Sequence, residues 1–293
     1  MIKHFFYCSL FIGLFSCNLE GVEDVSNEEG DTLGSEIIKN TADSLEQEDP
    51  TQVKPDSING IPNDMVFQRK DGLRIEWEVK KEEHPIELND VIMVNYHARV
   101  AAGEEYDSNE SLGKPVPLKT NINMLIQGWE EGLLYMHEGD KGRIMIPAAL
   151  AYGEIGYKTI VPPDADIIVD IEIVSIVDPI LLEDGVKVYK WQQVNGGETP
   201  KKNQLITFDY FAYKKGKKAG LYDNSYKNGS PFSFKFENDN VVDGLHIGMS
   251  VMKAGENAFI EIPAEAAYGS KGMLDLVPKN TAIVYDVRLI SIE

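Results

Sequence analysis

The side chains that most often carry out covalent or metal-dependent catalysis are sparse in this 293-residue chain. Its five histidines are scattered, and its two cysteines, Cys8 and Cys17, both lie at the start of the chain. No group of Cys, His, Asp or Glu has the spacing of a metal site, and no Ser/His/Asp or Cys/His arrangement suggests a nucleophile. The sequence therefore gives no support to a metal site or to a Ser/His/Asp or Cys/His nucleophile.

One short stretch, QGWEEGL at residues 127–133, has an unusual composition for a helix. Gly128 and Gly132 frame Trp129, although each glycine costs a helix roughly 1 kcal/mol relative to Ala. A lone tryptophan is more often a core residue than part of a binding site. The pattern by itself leaves both roles open for Trp129.

The elements that must position these residues occur twice in the chain. Five residues recur at a constant interval of 116 positions: Gly128 with Gly244, Pro147 with Pro263, Tyr152 with Tyr268, Pro162 with Pro278, and Asp170 with Asp286. Tyr96 and Tyr210 differ by 114, which indicates a two-residue insertion in the second copy. A period this long, present twice, predicts two tandem domains at 67–179 and 180–293.

The sequence pattern of each copy predicts mostly β-strands. Apolar residues alternate with polar ones over Ile92–Val100 and again from Ile167 to Ile173, and both patterns recur in the second copy. The helical stretches are Gln127–Met136 and its counterpart Asp243–Met252. One short helix against an antiparallel sheet predicts an α+β fold for each domain.

The N-terminus has the features of an export signal. Met1–His4 is a short basic start, and the apolar run Phe5–Phe15 is too short to span a bilayer but suits the core of a signal peptide. The run ends in LFSC, which resembles the lipobox of bacterial lipoproteins. We therefore expect a signal peptide at 1–16 and lipidation at Cys17; an ordinary secretory signal with an incidental cysteine is the alternative.

The next segment is strongly acidic. From Cys17 to Asp64 the chain has 13 acidic residues against two lysines and no aromatic residue. Such a segment cannot bury enough apolar surface to offset the entropy of ordering, so we predict a disordered tether at 17–66. The formal net charge of −20 argues against binding to nucleic acid and to anionic membranes through basic patches.

Six segments follow one another between residues 91 and 177: VNYHARV, YDSN, GKPVPLK, LIQGWEEGLLYMHEGDKGRIMIP, LAYGEIG and IVPPDADIIVDIEI. Their order and spacing resemble the FKBP-type peptidyl-prolyl cis–trans isomerases. The second copy is similar to a diverged member through ITFDYFAY, YDNS, GSPFSFKF, VVDGLHIGMSVMKAGENAFIEIP, AAYGSKG and LVPKNTAIVYDVRLI.

The resemblance implies a fold and a chemistry. In this family the sheet wraps around the short helix, and an apolar pocket between them binds proline, with Trp129 as its expected floor. A prolyl bond rotates over a barrier of about 18–20 kcal/mol because of amide resonance. A pocket that binds the twisted amide better than the planar one lowers that barrier without a nucleophile, metal or cofactor.

The resemblance also implies the site residues of the first domain. Tyr96, Asp107, Trp129 and Tyr152 have the direct roles: Tyr152 would donate to a substrate carbonyl, as would the backbone N–H of Ile126, and Asp107 would face the prolyl carbonyl. A turn residue is the alternative for Asp107. The remaining pocket residues are Tyr106, Val116, Leu125, Ile126, Tyr157, Ile160, Val161 and Val169. Val116 and Val169 stand where the family often has phenylalanine, so we expect a wider and less aromatic pocket.

The corresponding pocket of the second domain differs at its floor, where Leu245 replaces the tryptophan. The aligned positions are Tyr210, Tyr222, Asp223, Phe232, Val241, Val242, Leu245, Tyr268, Met273, Leu276, Val277 and Tyr285. We expect the first domain to be the better isomerase, and the second to be either a weaker one or a peptide-binding or structural module.

Together these features predict a monomeric prolyl isomerase, anchored by lipid to a membrane of the cell envelope on its periplasmic or outer face. Its partners are then proline-containing polypeptides, and its role is to assist the folding of envelope or exported proteins. Two alternatives use the same fold without catalysis: a peptide-binding chaperone, and a structural accessory of an envelope machine such as a gliding-motility apparatus.

Overall fold

The computed structural model describes residues 57–58, 61–216 and 219–293. The predicted signal peptide, the predicted lipidation site Cys17 and the predicted tether as far as residue 56 lie outside the described residues. Within them, no helix is long and apolar enough to cross a membrane.

The last residues of the predicted tether are ordered, which corrects that prediction. β1 (Ser57–Ile58) pairs with β2 (Ile61–Pro62), and a 3-10 turn at Asn63–Met65 follows. The Lys80 ammonium donates to the carbonyl oxygen of Asp64 at 2.7 Å, and Met65 packs against the core of the first domain. Met65 therefore belongs to the first domain and not to the tether.

The first domain contains one antiparallel sheet of seven strands. They are β3 (Val66–Gln68), β4 (Arg74–Val79), β5 (Val91–Val100), β6 (Glu105–Ser108), β7 (Val116–Lys119), β8 (Lys141–Ile146) and β9 (Ile167–Ile176). Their order is β3-β4-β8-β9-β5-β6, and β7 also pairs with β5. In β5 the apolar set Ile92, Val94, Tyr96 and Ala98 is buried and the intervening side chains are partly exposed, so the predicted alternation is confirmed.

The second domain repeats this topology. Its strands are β10 (Ile180–Leu181), β11 (Lys187–Gln192), β12 (Leu205–Lys214), β13 (Gly220–Asn224), β14 (Phe232–Lys235), β15 (Asn257–Ile262) and β16 (Ile283–Ile292). The order is β10-β11-β15-β16-β12-β13, and β14 also pairs with β12. Position for position this matches the first sheet, so the internal repeat is a repeat of the fold.

Each sheet carries one short helix, α1 (Gln127–Leu133) or α2 (Asp243–Met249). The sequence pattern predicted continuation to Met136 and Met252, which is wrong by three residues in each case. After α1 the N–H of Met136 bonds to the carbonyl of Leu133, three residues back, and Met136 then accepts a hydrogen bond from Ile86 at 3.0 Å. The tighter turn ends the helix and leads the chain back to the sheet. Short 3-10 turns occur elsewhere at Glu110–Leu112, Ala148–Leu150, Gly153–Ile155, Glu183–Gly185, Ser225–Asn228 and Ala264–Ala266.

The glycines of α1 let the helix lie directly on the sheet. A Cβ atom at Gly132 would come within 2.8 Å of Ile144, and one at Gly128 would come still closer to Ile146. In α2, Gly244 and Gly248 approach β15 in the same way. The close approach accounts for glycines in a helix that would otherwise favour Ala.

We expect Gly128→Ala to destabilise the protein by about 1–3 kcal/mol, because the added methyl group overpacks the contact with Ile146. Helix propensity alone predicts the opposite sign, a gain of roughly 1 kcal/mol. Urea unfolding measures the difference. Gln127→Ala, at an exposed position of the same helix, is the matched control and should stay within about 0.5 kcal/mol. A Gly128→Ala protein that is more stable than the parent would contradict the packing argument.

The two domains meet around a buried lysine. Lys119, the last residue of β7, has no exposed side-chain surface, and its Nζ lies 3.0 Å from Glu261 of the second domain. The same ammonium lies 4.1 Å from the ring centre of Tyr189 and donates to the carbonyl of Asn89 at 2.7 Å. Lys215 contacts the other Glu261 oxygen at 2.7 Å. Apolar side chains of the second domain continue the core of the first: Tyr189, Tyr213, Phe259 and Val284.

Candidate active site

The first domain gathers aromatic side chains from its helix, its sheet and one loop. Trp129 on α1 meets Tyr96 on β5 edge to face, with ring centres 5.1 Å apart and an interplanar angle of 67°. Tyr152 and Tyr157, from the segment between β8 and β9, stack with ring centres 5.2 Å apart. Trp129 is only 3% exposed, and it belongs to the same buried cluster as Tyr96 and Tyr157. The structure therefore brings the predicted tryptophan and tyrosines together.

A tyrosine–aspartate pair occupies the same place in both domains. The Tyr96 hydroxyl donates to Asp107 at 2.9 Å, and the Tyr210 hydroxyl donates to Asp223 at 2.7 Å. Each aspartate lies on the strand next to its tyrosine, since β5 pairs with β6 and β12 pairs with β13. Asp107 is therefore a partner of Tyr96 across the sheet and not merely a turn residue.

Electrostatics within the first pocket follow from its burial. Burial raises the pKa of Asp107 to about 6, although the hydrogen bond from Tyr96 works in the opposite direction. Burial likewise raises the pKa of Tyr96 far above its usual range, and the Asp107 charge adds to that effect. Near neutral pH the pocket thus contains one carboxylate and neutral phenols in apolar surroundings.

Three residues that the resemblance places in the first pocket lie deeper than expected. Val116, Val161 and Val169 have at most 1% accessible surface. They lie deeper in the core than the prediction implied, and their place in the pocket wall stays a prediction. Val169 faces Ala98 across the sheet, and Val116 faces Val94, so each is fixed within the core layer.

The other first-domain residues keep some access. Tyr106, Ile126 and Tyr152 are partly buried against the core, Leu125 is 8% exposed, and Ile160 is 45% exposed. Ile126 immediately precedes α1, and its backbone N–H makes no hydrogen bond to any other described residue. That free donor agrees with the expectation that Ile126 binds a substrate carbonyl, which stays a prediction.

The second domain has an open aromatic pocket of about 540 Å³. It is lined by Phe208, Tyr210, Asp223, Phe232, Asn240, Val241, Val242, Asp243, Leu245, Ala267, Tyr268 and Tyr285. Tyr210 is central to the wall, since its ring centre lies 5.4 Å from that of Tyr285 and 6.2 Å from that of Phe232. Leu245 on α2 forms the floor where the first domain has an indole.

The predicted second pocket is only partly right. Tyr222 and Val277 are buried and do not line the cavity. Leu276, which is 46% exposed, and Met273, which is partly buried, do not line it either. Sequence reasoning missed four lining residues, each one or two positions from a predicted one: Phe208, Asn240, Asp243 and Ala267. Phe208 carries a usable signal, because it shares a strand face with Tyr210.

Among the described residues, no cluster of three or more His, Cys, Asp and Glu side chains is placed to hold a metal ion. Each site instead combines aromatic rings and aliphatic side chains with a carboxylate that accepts a hydrogen bond from a tyrosine hydroxyl, and Asp243 adds a second carboxylate to the pocket of the second domain. Such an arrangement can bind an apolar ring and act on the dipole of a neighbouring amide.

Two segments of the chain, residues 82–174 and 196–290, match the model of the family described as FKBP-type peptidyl-prolyl cis-trans isomerase. They cover more than half of the sequence, and each contains the helix and the Tyr–Asp pair of one domain.

The chain is also similar to individual proteins. It is 26% identical over 208 residues to peptidyl-prolyl cis-trans isomerase FKBP10 of Bos taurus, covering 71% of this chain and 35% of that protein. It is 35% identical over 88 residues to peptidyl-prolyl cis-trans isomerase FPR2 of Saccharomyces cerevisiae, covering 30% of this chain and 65% of that protein. The crystal structure of the three FKBP domains of wheat FKBP73 matches with a TM-score of 0.39 and 22% identity, covering 76% of this chain and 96% of that one. The chain thus spans about a third of the length of FKBP10.

Proposed function

This chain belongs to the FKBP-type peptidyl-prolyl cis–trans isomerase family, and from that premise we propose that it isomerises prolyl peptide bonds and so assists protein folding. The observation that carries the proposal is the Tyr–Asp pair beside a cluster of aromatic side chains in each domain, Tyr96–Asp107 and Tyr210–Asp223. The substrates are proline-containing polypeptides.

The apolar walls favour the twisted amide. A planar prolyl amide has a large resonance dipole that water stabilises, and this dipole is lost as the bond rotates. Transfer from water to an aromatic pocket therefore costs the planar form more than the twisted form, and the difference lowers the barrier.

The carboxylate of Asp107 acts in the same direction. In the planar amide the carbonyl oxygen carries extra negative charge, and a carboxylate facing it is repelled. Rotation reduces that charge, so the ionised carboxylate disfavours the ground state more than the transition state. Tyr96 holds the Asp107 side chain in place through its hydroxyl. The ionised form of Asp107 is thus the active one.

A pH dependence follows from this role. Because the pKa of Asp107 is about 6, we expect kcat/KM to fall about threefold to tenfold as the pH is lowered from about 7 to about 5. The rates can be measured by NMR exchange on a proline peptide that has no titrating group of its own. Asp107→Asn is the control and should have no inflection near pH 6. An inflection that persists in Asp107→Asn would assign the titration to another group.

The proposal as a whole is tested by the same NMR exchange assay with the full chain. The cis–trans exchange of a proline peptide should be faster in its presence, and a variant with both Asp107→Ala and Asp223→Ala should lose most of the acceleration. Glu104→Gln, a change at an exposed position, is the control and should keep the parental rate. A parental chain that leaves the exchange rate unchanged would refute the proposed activity.

We further propose that the protein is a monomer anchored by lipid at Cys17 to a membrane of the cell envelope, where its clients are envelope or exported proteins. The support is the sequence: a short apolar run that ends at Cys17, followed by an acidic segment that can serve as a spacer.

The anchoring proposal predicts a fractionation result. Cys17→Ser should move the protein from the membrane to the soluble fraction, because removal of the acyl chains removes the anchor. Mass spectrometry of the parental protein should find a lipid-modified N-terminal cysteine. Cys17→Ser protein that stays with the membrane, or an unmodified N-terminus at another residue, would contradict the anchor.

A peptide-binding chaperone without catalysis is the second candidate. Its specific support is the loop after each pocket, where Ile155 and Leu274 are both 90% exposed and so can contact apolar residues of an unfolded chain. The two candidates separate in one experiment. A chaperone without catalysis binds the proline peptide, as seen by line broadening, and leaves its exchange rate unchanged.

A further inference from the structure

A second cavity lies beside the aromatic pocket of the second domain. It has a volume of about 400 Å³, and Asp243 lines both spaces, so the two adjoin at the start of α2. Its other lining residues come from the 3-10 turn before β11, the loop after β14 and α2: Glu183, Phe236, Glu237, Asn238, Asp239, His246, Ile247 and Ser250. A peptide with its proline in the aromatic pocket therefore has a neighbouring space available for an adjacent side chain.

This cavity is acidic and contains no balancing cation. The carboxylates of Glu183, Glu237, Asp239 and Asp243 line it, and no lysine or arginine does. None of the four takes part in an ion pair with another described residue. His246 lies among these carboxylates: its Nδ1 accepts a hydrogen bond from the Glu237 backbone N–H at 3.1 Å, and its Nε2 lies 3.1 Å from the Asp239 carbonyl oxygen.

The corresponding region of the first domain is different. Asn121, Asn123 and Gln127 stand 116 positions before Glu237, Asp239 and Asp243. Three carboxylates occur there: Asp71 and Glu131 are both paired with Arg69, and Glu130, at the position of His246, is largely buried, which raises its pKa to about 7. The set of four exposed carboxylates without an ion-pair partner among the described residues is thus specific to the second domain.

We infer that the second domain selects proline segments with a lysine or arginine within about two residues of the proline. This inference rests on the proposed function, since it places the proline ring against Tyr210, Phe232 and Tyr285. Charge complementarity then decides the neighbouring residue, because a cation gains from several carboxylates that an uncharged side chain does not. The first domain, whose counterpart carboxylates are paired with Arg69 or largely buried, has a weaker preference.

The experiment compares two fluorescently labelled heptapeptides that differ only in having lysine or glutamine on both sides of a single proline. Their affinities for the full chain are measured by anisotropy at low salt. We expect the lysine peptide to bind about threefold to tenfold more tightly, and we expect the ratio to decline at about 0.5 M NaCl. The variant Glu183→Gln/Glu237→Gln, which alters only the acidic cavity, should reduce the ratio to less than about twofold.

The matched control is Glu82→Gln/Glu104→Gln, which removes the same charge from exposed positions of the first domain and should keep the parental ratio. The inference is overturned if the lysine peptide has no advantage or no measurable binding, or if both double variants lower the ratio equally. The exchange rate of the glutamine peptide reports separately on the isomerase. A preference for the lysine peptide without catalysis contradicts the proposed function and supports the acidic subsite. Catalysis without a preference for the lysine peptide supports the proposed function and contradicts the acidic subsite.

Discussion

Trp129→Leu is expected to lower kcat/KM of the full chain by roughly tenfold to a hundredfold, because we propose that the first domain carries most of the activity. A rigid indole presents a broad face to a proline ring at little entropic cost, and leucine offers no such plane. Loss of a well-packed aromatic contact costs about 1–3 kcal/mol, which converts to that range of rate if the contact is fully expressed in the transition state.

The structure gives a reason for this expectation in the first domain and an opposing observation in the second. Trp129 packs edge to face on Tyr96 and is held within the core, so it is a preorganised floor. The second domain has Leu245 at that position, yet its pocket is open and has aromatic walls at Phe232 and Tyr285. The domain with the higher kcat/KM is the one whose pocket keeps the contact that contributes more to binding the transition state, the tryptophan floor or the aromatic walls.

The measurement is NMR exchange on one proline peptide with the parental chain, Trp129→Leu and Leu245→Trp. Thermal unfolding of each variant shows whether the domain is still folded. Leu245→Trp should raise the rate or leave it unchanged, since a cavity of about 540 Å³ lies above that residue. A Trp129→Leu protein that is folded and loses less than about twofold in kcat/KM would place the activity mainly in the second domain.

Lys119→Ala is expected to destabilise the protein by about 3–5 kcal/mol, the largest stability effect that we predict. The side chain is fully buried at the junction of the domains, and its ammonium contacts Glu261, Tyr189 and the carbonyl of Asn89. Burial lowers the pKa of Lys119 to about 8, while the charge of Glu261 opposes that shift. Removal of the cation leaves the partly buried Glu261 with Lys215 as its remaining partner and opens a cavity in the interface.

Urea unfolding of the full chain measures this effect, and Lys271→Ala at an exposed position is the control, expected within about 0.5 kcal/mol. A double-mutant cycle with Glu261→Ala should give a coupling energy of at least about 1 kcal/mol, because the two charges share one buried contact. Separate unfolding transitions of the two domains in Lys119→Ala would show that the interface couples them. A Lys119→Ala protein as stable as the control would mean that the ion pair only offsets its own desolvation.

The sequence alone determined the fold and its duplication. Period-two alternation along β5 and β9 and the constant interval of 116 residues are local or translational signals, so they can be read without knowing any contact. The hydrogen bond between each tyrosine and its aspartate does not belong with them: the recurrence of Tyr96 and Asp107 as Tyr210 and Asp223 is visible in the sequence, but only the folded sheet shows that the two side chains meet. The helix starts were read correctly from local signals, while the helix ends depended on the contact of Met136 with Ile86.

Only the tertiary structure decided which residues have accessible surface. Val116, Val161 and Val169 align with pocket positions, yet in the folded domain each has at most 1% accessible surface. Accessibility depends on the shapes of neighbours brought together from distant segments, and spacing along the chain contains no measure of it.

The same reason explains what sequence reasoning missed. In the sequence, no feature distinguishes Lys119 from other lysines at strand ends. It is buried because the second domain packs on it and places Glu261 beside its ammonium group. The acidic cavity is lined by Glu183 and, more than 50 positions later in the chain, by Glu237 and Asp243. The fold brings these residues to one opening. A site between segments exists only once the chain has folded, because its volume and charge are properties of the packed arrangement and not of any one segment.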